Sequence, residues 1–402
     1  MAVATIESAR VPTIDIDVFG EEFLADPYGY HAQVRDAGPV FYLRKYGIYG
    51  MARHAEVSAA LKDWQTFISS RGVGLSDFAT EKPWRPPSLL LETDPPVHDR
   101  TRRLMNQVVS LAALRKLQPL WQAEADALVD TLLARRNVDG VTDLAQAYPL
   151  RIFPPTIGLP EEGRENLLSY AMATFNAFGP RNRVFTDSEA AAGPAAAWVA
   201  MACKRANLSA SGWGADVYAA ADAGACTEDE AERLVRSFLS AGVDTTINGI
   251  GNMLHAFARH PEQWAKLRAQ PSLVKRVFDE ALRWDSTVQT FFRTTSRAVT
   301  VGDVAIPEGS KVLLFFGAAN RDPRKWDDPE RFDIERVASG HLGFGFGIHQ
   351  CLGQMVARME AEAVLNALLP RVRRIELTGE PVRILNNTLH ALGSLPIALI
   401  PE

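Results

Sequence analysis

Apolar residues recur at steps of three and four over most of the chain, a pattern that predicts amphipathic helices. The first of them has a proline at its opening position, where a missing N–H is tolerated. A long central pattern stops at a His-Pro pair, as helices commonly do. The predicted helices cover 27–36, 54–62, 148–158, 161–178, 188–209, 228–260, 273–285 and 352–369, and one more opens after the Pro-Pro turn at 95–96.

Short runs of alternating or β-branched residues predict a small β region. Residues 40–43 and 48–51 form a hairpin pattern around Lys45-Tyr46-Gly47, further strands lie between 290 and 316, and the C-terminal tail contains short strands. Residues 1–25 indicate an irregular arm. The turn-rich stretch 64–96 contains no regular pattern, and a loop of that length in a compact domain is often functional. The fold class predicted is mostly α with a small β region.

Composition and charge narrow the function classes. The chain has 402 residues, 47% of them hydrophobic and 23% charged, which is usual for a water-soluble globular protein. A net charge of −5 leaves no basic surplus for nucleic acid. No apolar run reaches membrane-span length, and Met1–Glu7 lacks a leader pattern. No linker divides the chain, so we expect a single domain over 1–402.

The three cysteines, Cys203, Cys226 and Cys351, are too scattered to predict a disulfide framework. A reducing cytoplasm fits this usage. Cys351 alone stands in a glycine-rich loop, Phe344 to Gly353, immediately before a predicted helix. Glycines allow a sharp turn that aims the sulfur at a flat partner, and helix-terminal amides favour a thiolate. The alternative is a Gly-rich turn with a buried structural cysteine.

The predicted helix 228–260 has an unusual centre, Ala241-Gly242-Val243-Asp244-Thr245-Thr246. Glycine and paired threonines are poor residues for the middle of a helix. A threonine hydroxyl can bond a backbone carbonyl one turn back and loosen the helix there. Such interruptions frequently mark functional positions. The alternative is a helix with two tolerated threonines.

Together these motifs resemble the cytochrome P450 family. Phe344, Gly347, Cys351 and Gly353 fill every fixed position of its haem loop, Phe-x-x-Gly-x-x-x-Cys-x-Gly. The resemblance implies haem b as cofactor, with Cys351 as the iron ligand and with Phe344 and Gly345 against the haem. It also implies the cytochrome P450 fold. One thiolate suffices for haem iron, whereas zinc and iron–sulfur sites need several ligands.

The resemblance extends to other haem-binding positions. His98 and Arg102 lie one helical turn apart after the Pro-Pro turn, and spacing alone favours a solvated surface pair over an anion-binding pair. In the family such residues, with Arg293 and His349, bind the haem propionates. Glu280 and Arg283, with Arg336 as the chosen third member and Arg331 as the alternative, resemble the family's buried brace beneath the cysteine loop.

The central helix motif resembles the family's oxygen-binding groove, Ala-Gly-x-Asp-Thr-Thr. That resemblance assigns Asp244 to relaying protons from solvent and Thr245 to hydrogen-bonding the distal oxygen. Ser237, Ser240, Ala241, Asp244 and Asn248 recur at helical spacing, so we expect them on one face towards the haem.

Polar and aromatic residues point to the substrate. Arg85 and Ser88 in the turn-rich stretch, with Ser237 and Ser240, suit a carboxylate. Phe175, Phe178, Phe291 and Phe292 suit the faces of an aromatic ring. The alternatives for these residues are ordinary core packing for the phenylalanines and backbone bonding for the serines. Arg85, Ser88, Phe175, Phe178, Ser237, Ser240 and Phe291 also match a branch of bacterial P450s that oxidises para-substituted benzoates.

The resemblance therefore implies a dioxygen-dependent monooxygenase that hydroxylates or O-demethylates a small aromatic acid. Its partners would be an iron–sulfur ferredoxin and a separate NAD(P)H-dependent ferredoxin reductase, since no such domain is fused. The alternatives are oxidation of another small hydrophobic substrate such as a terpenoid, and a peroxide-driven haem-thiolate peroxygenase. A haem sensor without catalysis is disfavoured by an aromatic pocket lined with arginine.

Overall fold

The computed structural model describes residues 11–135 and 137–402. The expectations for the first ten residues, an irregular arm without a leader, lie outside this range, and the single domain over 1–402 stays a prediction. No helix in these two ranges is both long enough and apolar enough to cross a membrane.

Fifteen α-helices in the described ranges make up most of the fold, which confirms the predicted mostly α class. The first eight are α1 (Glu21–Ala25), α2 (Tyr28–Asp36), α3 (His54–Lys62), α4 (Val97–Val108), α5 (Leu111–Leu133), α6 (Ala147–Ile157), α7 (Asn166–Asn176) and α8 (Arg183–Ala202). The others are α9 (Trp213–Asp222), α10 (Glu228–Ala241), α11 (Asp244–Arg259), α12 (Pro261–Ala269), α13 (Val274–Trp284), α14 (Phe316–Asn320) and α15 (Gln354–Leu368). A π-helical segment, Gly140–Gln146, runs directly into α6.

The strands form one larger sheet and three small ones. They are β1 (Thr13–Ile14), β2 (Phe41–Leu43), β3 (Ile48–Met51), β4 (Phe67–Ile68), β5 (Asn137–Asp139), β6 (Thr290–Thr295), β7 (Val299–Val301), β8 (Val304–Ile306), β9 (Lys311–Phe315), β10 (Val372–Leu377), β11 (Val382–Ile384), β12 (Ala391–Ser394) and β13 (Pro396–Pro401). The larger sheet has the order β1-β2-β3-β9-β6-β4. The predicted hairpin is its antiparallel β2–β3 pair.

The main hydrophobic core surrounds α11. Every residue of this helix from Thr246 to Phe257 is buried, including Gly249 and Gly251. Phe278 of α13 approaches Gly249 so closely that an added Cβ would lie 2.9 Å from its ring. Asn248, Asn252 and His255 form a polar stripe along α11 at helical spacing, and the cost of burying this stripe is offset in part by the bond that Asn252 donates to the His390 carbonyl at 3.0 Å.

The central helix is interrupted, and the prediction of one helix over 228–260 was wrong on this point. α10 ends at Ala241, Gly242 follows as its C-cap, and α11 begins at Asp244. The Thr245 hydroxyl donates to the Ala241 carbonyl at 2.9 Å, the bond back along the helix that its sequence predicted. Phe153 of α6 packs where a Cβ on Gly242 would stand, so glycine is required by contact as well.

Other predicted bounds shift for local reasons. α7 is shorter than predicted, because Gly163 adopts a left-handed φ of +87° beneath Trp198 and the helix begins only after it. Two short elements lie in the stretch expected to be irregular, β1 and α1. Neither is long enough to show a period in the sequence.

The brace predicted beneath the cysteine loop is present. Arg283 donates to both carboxylate oxygens of Glu280 at 2.7 and 2.8 Å, and both side chains are fully buried. Arg336 completes it with a 3.3 Å bond to Glu280. Arg331 contributes only its backbone carbonyl, which accepts from Arg283. The sequence choice of Arg336 over Arg331 therefore agrees with the structure.

Candidate active site

The cysteine loop is a tight turn that presents a sulfur atom to an internal cavity. The Cys351 amide donates to the Phe344 carbonyl at 2.8 Å, which closes the loop. Gly345 and Gly347 both have left-handed φ values, +68° and +74°. Gly347 also lies against the Leu61 carbonyl at the end of α3, where a Cβ would not fit.

A cavity of about 250 Å³ separates this loop from the α10–α11 junction. It is bounded on one side by Cys351 and on the other by Thr245. Of the residues predicted to bind cofactor or substrate, the lining includes Arg85, Ser88, Arg102, Phe175, Phe178, Ser237, Ser240, Phe291, Arg293, Phe344, Gly345, His349 and Cys351. The chain thus brings thirteen residues from separate segments to one internal space.

Cys351 is the one exposed cysteine among the three, and it lines this cavity, whereas the other two are buried. Burial of the sulfur raises the pKa of the Cys351 thiol, against the opposing effects of the Gly353 amide and of Arg102 and Arg358. The expected preference for a thiolate is therefore not met by the loop amides alone. A bound cation at the sulfur would supply the missing stabilisation.

Four nitrogen-bearing side chains gather near the edge of the cavity. His98 and His349 rings meet edge to face with centroids 4.4 Å apart, and both Nε2 atoms are buried without a hydrogen-bond partner. Arg293 is buried and makes one hydrogen bond among the described residues, to the Phe292 carbonyl. Arg102 donates to the Gln350 carbonyl at 2.7 Å. His98 does not itself line the cavity but touches His349, which does.

One carboxylate that sequence reasoning missed lies beside this cluster. Asp94 accepts from the Ser69 and Ser70 amides at 3.0 and 2.9 Å and stands 3.7 Å from His349 Nε2. Burial alone would raise the pKa of Asp94, but His349 and the two serine amides outweigh it and lower the pKa to about 2. Burial lowers the pKa of Arg293 to about 10, and Asp94 opposes that shift. The cluster retains a surplus of donors for an anionic group.

The predicted oxygen groove divides into two environments. Thr245 lines the cavity, whereas Asp244 is buried behind it and hydrogen-bonds to Asn248 at 3.0 Å. The prediction that Asp244 and Asn248 face the cavity was wrong: after the break Thr245 and Thr246 line it, and Asp244 and Asn248 are buried against each other. Burial raises the pKa of Asp244 to about 7, and Asn248 opposes that shift. A carboxyl that titrates near neutrality can both donate and accept a proton there.

Three phenylalanines form one wall of the cavity. Phe178 packs edge to face on Phe175 and on Phe291, at centroid distances of 5.9 and 5.4 Å. Phe292 faces the opposite side of β6 and packs in a separate core with Phe19, so the expectation that it joins the slot was wrong. Alternation along a strand sends neighbouring side chains to opposite faces, and Phe291 takes the cavity side.

The polar end of the cavity differs from expectation in its charge. Arg85 donates to buried Glu92 at 3.1 Å, and the Ser88 amide donates to the same carboxylate oxygen at 2.7 Å. Glu92 therefore compensates the charge of Arg85, a pairing that the sequence analysis did not predict. Ser88 Oγ accepts from the Leu90 and Leu91 amides, which leaves its own proton free to donate.

The two serines of α10 differ from Ser88 because their hydroxyl protons are already hydrogen-bonded. Ser237 and Ser240 hydroxyls donate one turn back, to the carbonyls of Arg233 and Arg236, at 3.1 Å each. Arg236 bonds the Pro86 carbonyl at 3.0 Å, and no carboxylate of the described chain lies within 4 Å of it. The Arg236 guanidinium is thus less compensated than that of Arg85, although Arg236 was not among the residues selected from the sequence.

The residues present fit a haem. A flat anionic group in the cavity would meet one cysteine sulfur on its proximal side and the small residues of the α10–α11 junction on its distal side. Its acidic groups would satisfy the orphaned Nε2 atoms of His98 and His349 and the free guanidinium N–H groups of Arg293. Among the described residues neither Nε2 atom has a hydrogen-bond partner, and the nearest carboxylate oxygen, of Asp94, is 3.7 Å from His349 Nε2.

Comparison with known proteins agrees with this reading. The sequence model of the family "Cytochrome P450" matches residues 215–399. The chain is 54% identical over 394 residues to cytochrome P450 CYP199A2 of Rhodopseudomonas palustris, covering 98% of this chain and 96% of that protein. It is 32% identical over 393 residues to beta-dihydromenaquinone-9 omega-hydroxylase of Mycobacterium bovis, covering 96% and 79%.

Solved structures share the fold. P450BioI in complex with an acyl carrier protein ligated to hexadec-9Z-enoic acid superposes with a TM-score of 0.83 at 28% identity, covering 94% of this chain and all of that one. Cytochrome P450 CREJ in complex with (4-ethylphenyl) dihydrogen phosphate superposes with a TM-score of 0.83 at 25% identity, covering 94% and 98%.

Proposed function

The chain belongs to the cytochrome P450 family, and on that premise we propose that it hydroxylates or O-demethylates a small aromatic carboxylic acid, a para-substituted benzoate. Family membership makes the protein a monooxygenase with haem b as its cofactor. The substrate, the role of each site residue, the electron donors and a cytoplasmic location are the proposal. The three free cysteines suit a reducing compartment.

The observation that carries the substrate proposal is the layout of the cavity along α10. Ser237 of α10 and Thr245 of α11 both line it, on either side of the junction between the two helices. This layout suits a single benzene ring with a carboxylate near Ser88 and Ser237 and a para substituent near Thr245. The phenylalanine wall supplies the ring contact.

Charge at the far end supports an acid. Ser88 has a free hydroxyl proton, and Arg85 and Arg236 bring two cations against the single carboxylate of Glu92. The structure of CREJ with a para-substituted phenyl phosphate offers a parallel, because its ligand also joins an anionic group to a para-substituted ring. The resemblance to the benzoate-oxidising branch agrees with both points.

The chemistry divides between cofactor and protein. Haem, when bound, activates dioxygen and removes hydrogen from a nearby C–H bond. Cys351 would hold the iron, and His98, Arg102, Arg293 and His349 would hold the propionates. Thr245 would place its hydroxyl, which donates to the Ala241 carbonyl at 2.9 Å, on the side of the cavity where dioxygen enters, and Asp244 would supply protons there, as its pKa of about 7 allows. The phenylalanine wall would fix the para group and exclude water.

For a para-methoxy substrate, hydroxylation of the methyl carbon gives a hemiacetal. The hemiacetal collapses to a phenol and formaldehyde, so the reaction is an O-demethylation. One oxygen atom of dioxygen enters the product and the other leaves as water, which requires two electrons and two protons per turnover. We propose that an iron–sulfur ferredoxin and an NAD(P)H-dependent reductase supply the electrons.

The surface beside the cysteine loop supports an acidic electron donor. Lys62 lies over the Phe346 ring at 4.9 Å, and Arg102 and Arg358 are close enough to act on the Cys351 sulfur. Cations around the loop would steer a negatively charged ferredoxin to the short path for electron transfer. This contact also gives Phe346 a packing role at the loop surface.

A neutral hydrophobic substrate such as a terpenoid is the second candidate. It is favoured by one observation, that Glu92 already compensates Arg85. A peroxide-driven reaction is the third, and it would leave the proton path through Asp244 and Thr245 unused.

Product analysis separates the candidates. The purified holoprotein is supplied with para-methoxybenzoate, a ferredoxin, its reductase and NADH, and formaldehyde and para-hydroxybenzoate are measured. We expect both products in equal amounts, and little product from meta-methoxybenzoate. Absence of both products, with a neutral terpenoid oxidised instead, would refute the proposed substrate. Equal turnover with hydrogen peroxide alone would refute the electron-transfer chain.

A further inference from the structure

A second, smaller cavity lies on the far side of the active-site wall. Its volume is about 30 Å³, and Arg85, Thr174 and Phe178 line both it and the main cavity. These three side chains therefore form a partition between the two spaces. The outer space is bounded further by Trp84, Glu92 and Arg181. We call it the vestibule.

The partition is closed by an ion pair. Arg85 Nη1 lies 3.1 Å from Glu92 Oε2, and the two side chains are only 13% and 4% exposed. The same oxygen accepts the Ser88 amide at 2.7 Å. Glu92 thus occupies the donors that a ligand carboxylate would use at the polar end of the main cavity. An internal carboxylate in that position competes with an external one for the same guanidinium.

Positive charge extends from the partition to the surface. Arg181 is exposed at the vestibule, and its guanidinium stacks on the Phe185 ring at 4.1 Å. Arg236 lies inward, bonded to the Pro86 carbonyl. Neither has a carboxylate within 4 Å among the described residues, whereas nearby Arg183 is paired with Glu21 and Asp187. An anion would meet a cation at the mouth, another at the partition and a third beyond it.

From this arrangement we propose that the vestibule is the entry for the anionic substrate and that Glu92 is a built-in counter-ion, which the substrate carboxylate displaces from Arg85 on entry. The exchange replaces one carboxylate by another, so no charge is left unpaired on the arginine. A neutral molecule of the same shape cannot make this exchange. Glu92 is then a specificity-determining residue for the main cavity. This inference rests on the proposed function, since it concerns the path of the aromatic acid.

Removing the competing charge tests the counter-ion. In Glu92→Gln, Arg85 loses its charged partner, so para-methoxybenzoate should bind about tenfold more tightly, and para-methoxybenzamide should change less than about twofold. Binding is read from the Soret shift of the holoprotein, without turnover. The double variant Arg85→Gln/Glu92→Gln should lose the gain. Weaker or unchanged acid binding in Glu92→Gln would overturn the proposal, because Glu92 would then be orienting Arg85 rather than competing for it.

Association kinetics test the entry path. Arg181→Gln should lower the association rate of para-methoxybenzoate about threefold at low salt and leave its dissociation rate unchanged, because a rim charge acts on encounter. The effect should fade at high salt. Arg183→Gln, an exposed and already paired arginine two residues away, is the matched control and should have no effect. If the association rate of para-methoxybenzoate with Arg181→Gln at low salt equals that with the native protein, the substrate enters elsewhere and the proposed role of the vestibule is wrong.

Failure of the proposed function and failure of the Glu92 counter-ion give different binding results. A native protein that binds neither the acid nor the amide refutes the proposed function itself. A native protein that prefers the acid, together with an unchanged preference in Glu92→Gln, refutes the counter-ion alone.

Discussion

At the residue scale, the binding properties of the site depend on which serine hydroxyl protons are free to donate to a ligand. Ser88 accepts two backbone N–H groups and keeps its proton for a ligand, whereas Ser237 and Ser240 already donate along α10. From the sequence alone, all three serines are equally suitable hydrogen-bond donors for a carboxylate. Only the local backbone determines which hydroxyl can donate without first breaking a bond.

This difference predicts unequal effects of alanine substitution. Ser88→Ala should weaken para-methoxybenzoate binding about tenfold, the cost of one hydrogen bond to a charged group. Ser237→Ala should weaken it less than about threefold, because its hydroxyl proton is committed to Arg233. Soret titration of both variants measures the affinities. The distinction fails if Ser237→Ala has the larger effect.

Thr245 lines the cavity, and it lies in the first turn of α11, directly after the interruption of the central helix. Thr245→Ala should keep substrate binding but divert electrons to hydrogen peroxide, lowering the yield of product per NADH severalfold, because the cavity loses the hydroxyl proposed to position protons beside Asp244. Peroxide and formaldehyde are measured together. Thr245→Ser retains the hydroxyl and is the matched control. Unchanged coupling in the alanine variant would remove the proposed role.

Asp244 predicts a pH dependence of stability. Its pKa is about 7 in the folded protein and near 3.8 when exposed, so the folded state holds a proton that the unfolded state has lost between those values. Its contribution is fully present below about pH 4 and is lost as the pH rises through 7, on the order of 4 kcal/mol in total. Native protein should therefore lose stability relative to Asp244→Asn over this range. The free energies of unfolding of both proteins are measured at pH 5 and at pH 7.5. The same difference between the two proteins at both pH values would contradict the assignment.

At the element scale, helices with one apolar face were predictable and interruptions were not. The α3 prediction matches at both ends, because its pattern and flanking residues agree. The central helix was predicted without a break, although Ala241 to Thr246 had marked a weak point. The break needs Phe153 of α6 to press on Gly242, and that contact comes from a segment about ninety residues earlier in the chain.

The break can be tested through two glycines in helical settings. Gly242→Ala should destabilise the protein by about 1–3 kcal/mol, because its Cβ would overlap the Phe153 ring. Gly193→Ala in α8 has nothing within 4 Å of its Cβ and should stabilise by about 0.5–1 kcal/mol. Denaturant unfolding of both variants gives the comparison. A Gly242→Ala protein as stable as the native one would show that the junction relaxes freely.

At the scale of the whole molecule, fourteen of the sixteen site residues chosen from the sequence line one cavity, although they come from segments spread over 266 positions. Motif spacing and the family resemblance were enough to choose them. Asp94 and Glu92 could not be found this way, because their importance lies in the cations that the fold places beside them. Sequence offers only an acidic residue four positions after Ser88 in a turn-rich stretch.

The same limit applies to charge. Arg85 was predicted to bind a ligand carboxylate, and its pairing with Glu92 follows from a single turn, Ser88 to Glu92, in which the Glu92 amide donates to the Ser88 carbonyl at 3.0 Å. The ability of Arg85 to bind a ligand carboxylate therefore depends on Glu92 as well as on Arg85 itself.

The central claim is that this cavity selects an aromatic acid through Arg85, and one titration tests it most directly. The holoprotein and its Arg85→Gln variant are each titrated with para-methoxybenzoate and para-methoxybenzamide, with the Soret shift as the readout. The account predicts that the variant loses about tenfold in affinity for the acid and less than about twofold for the amide. An equal loss for both ligands, or none for the acid, would contradict it.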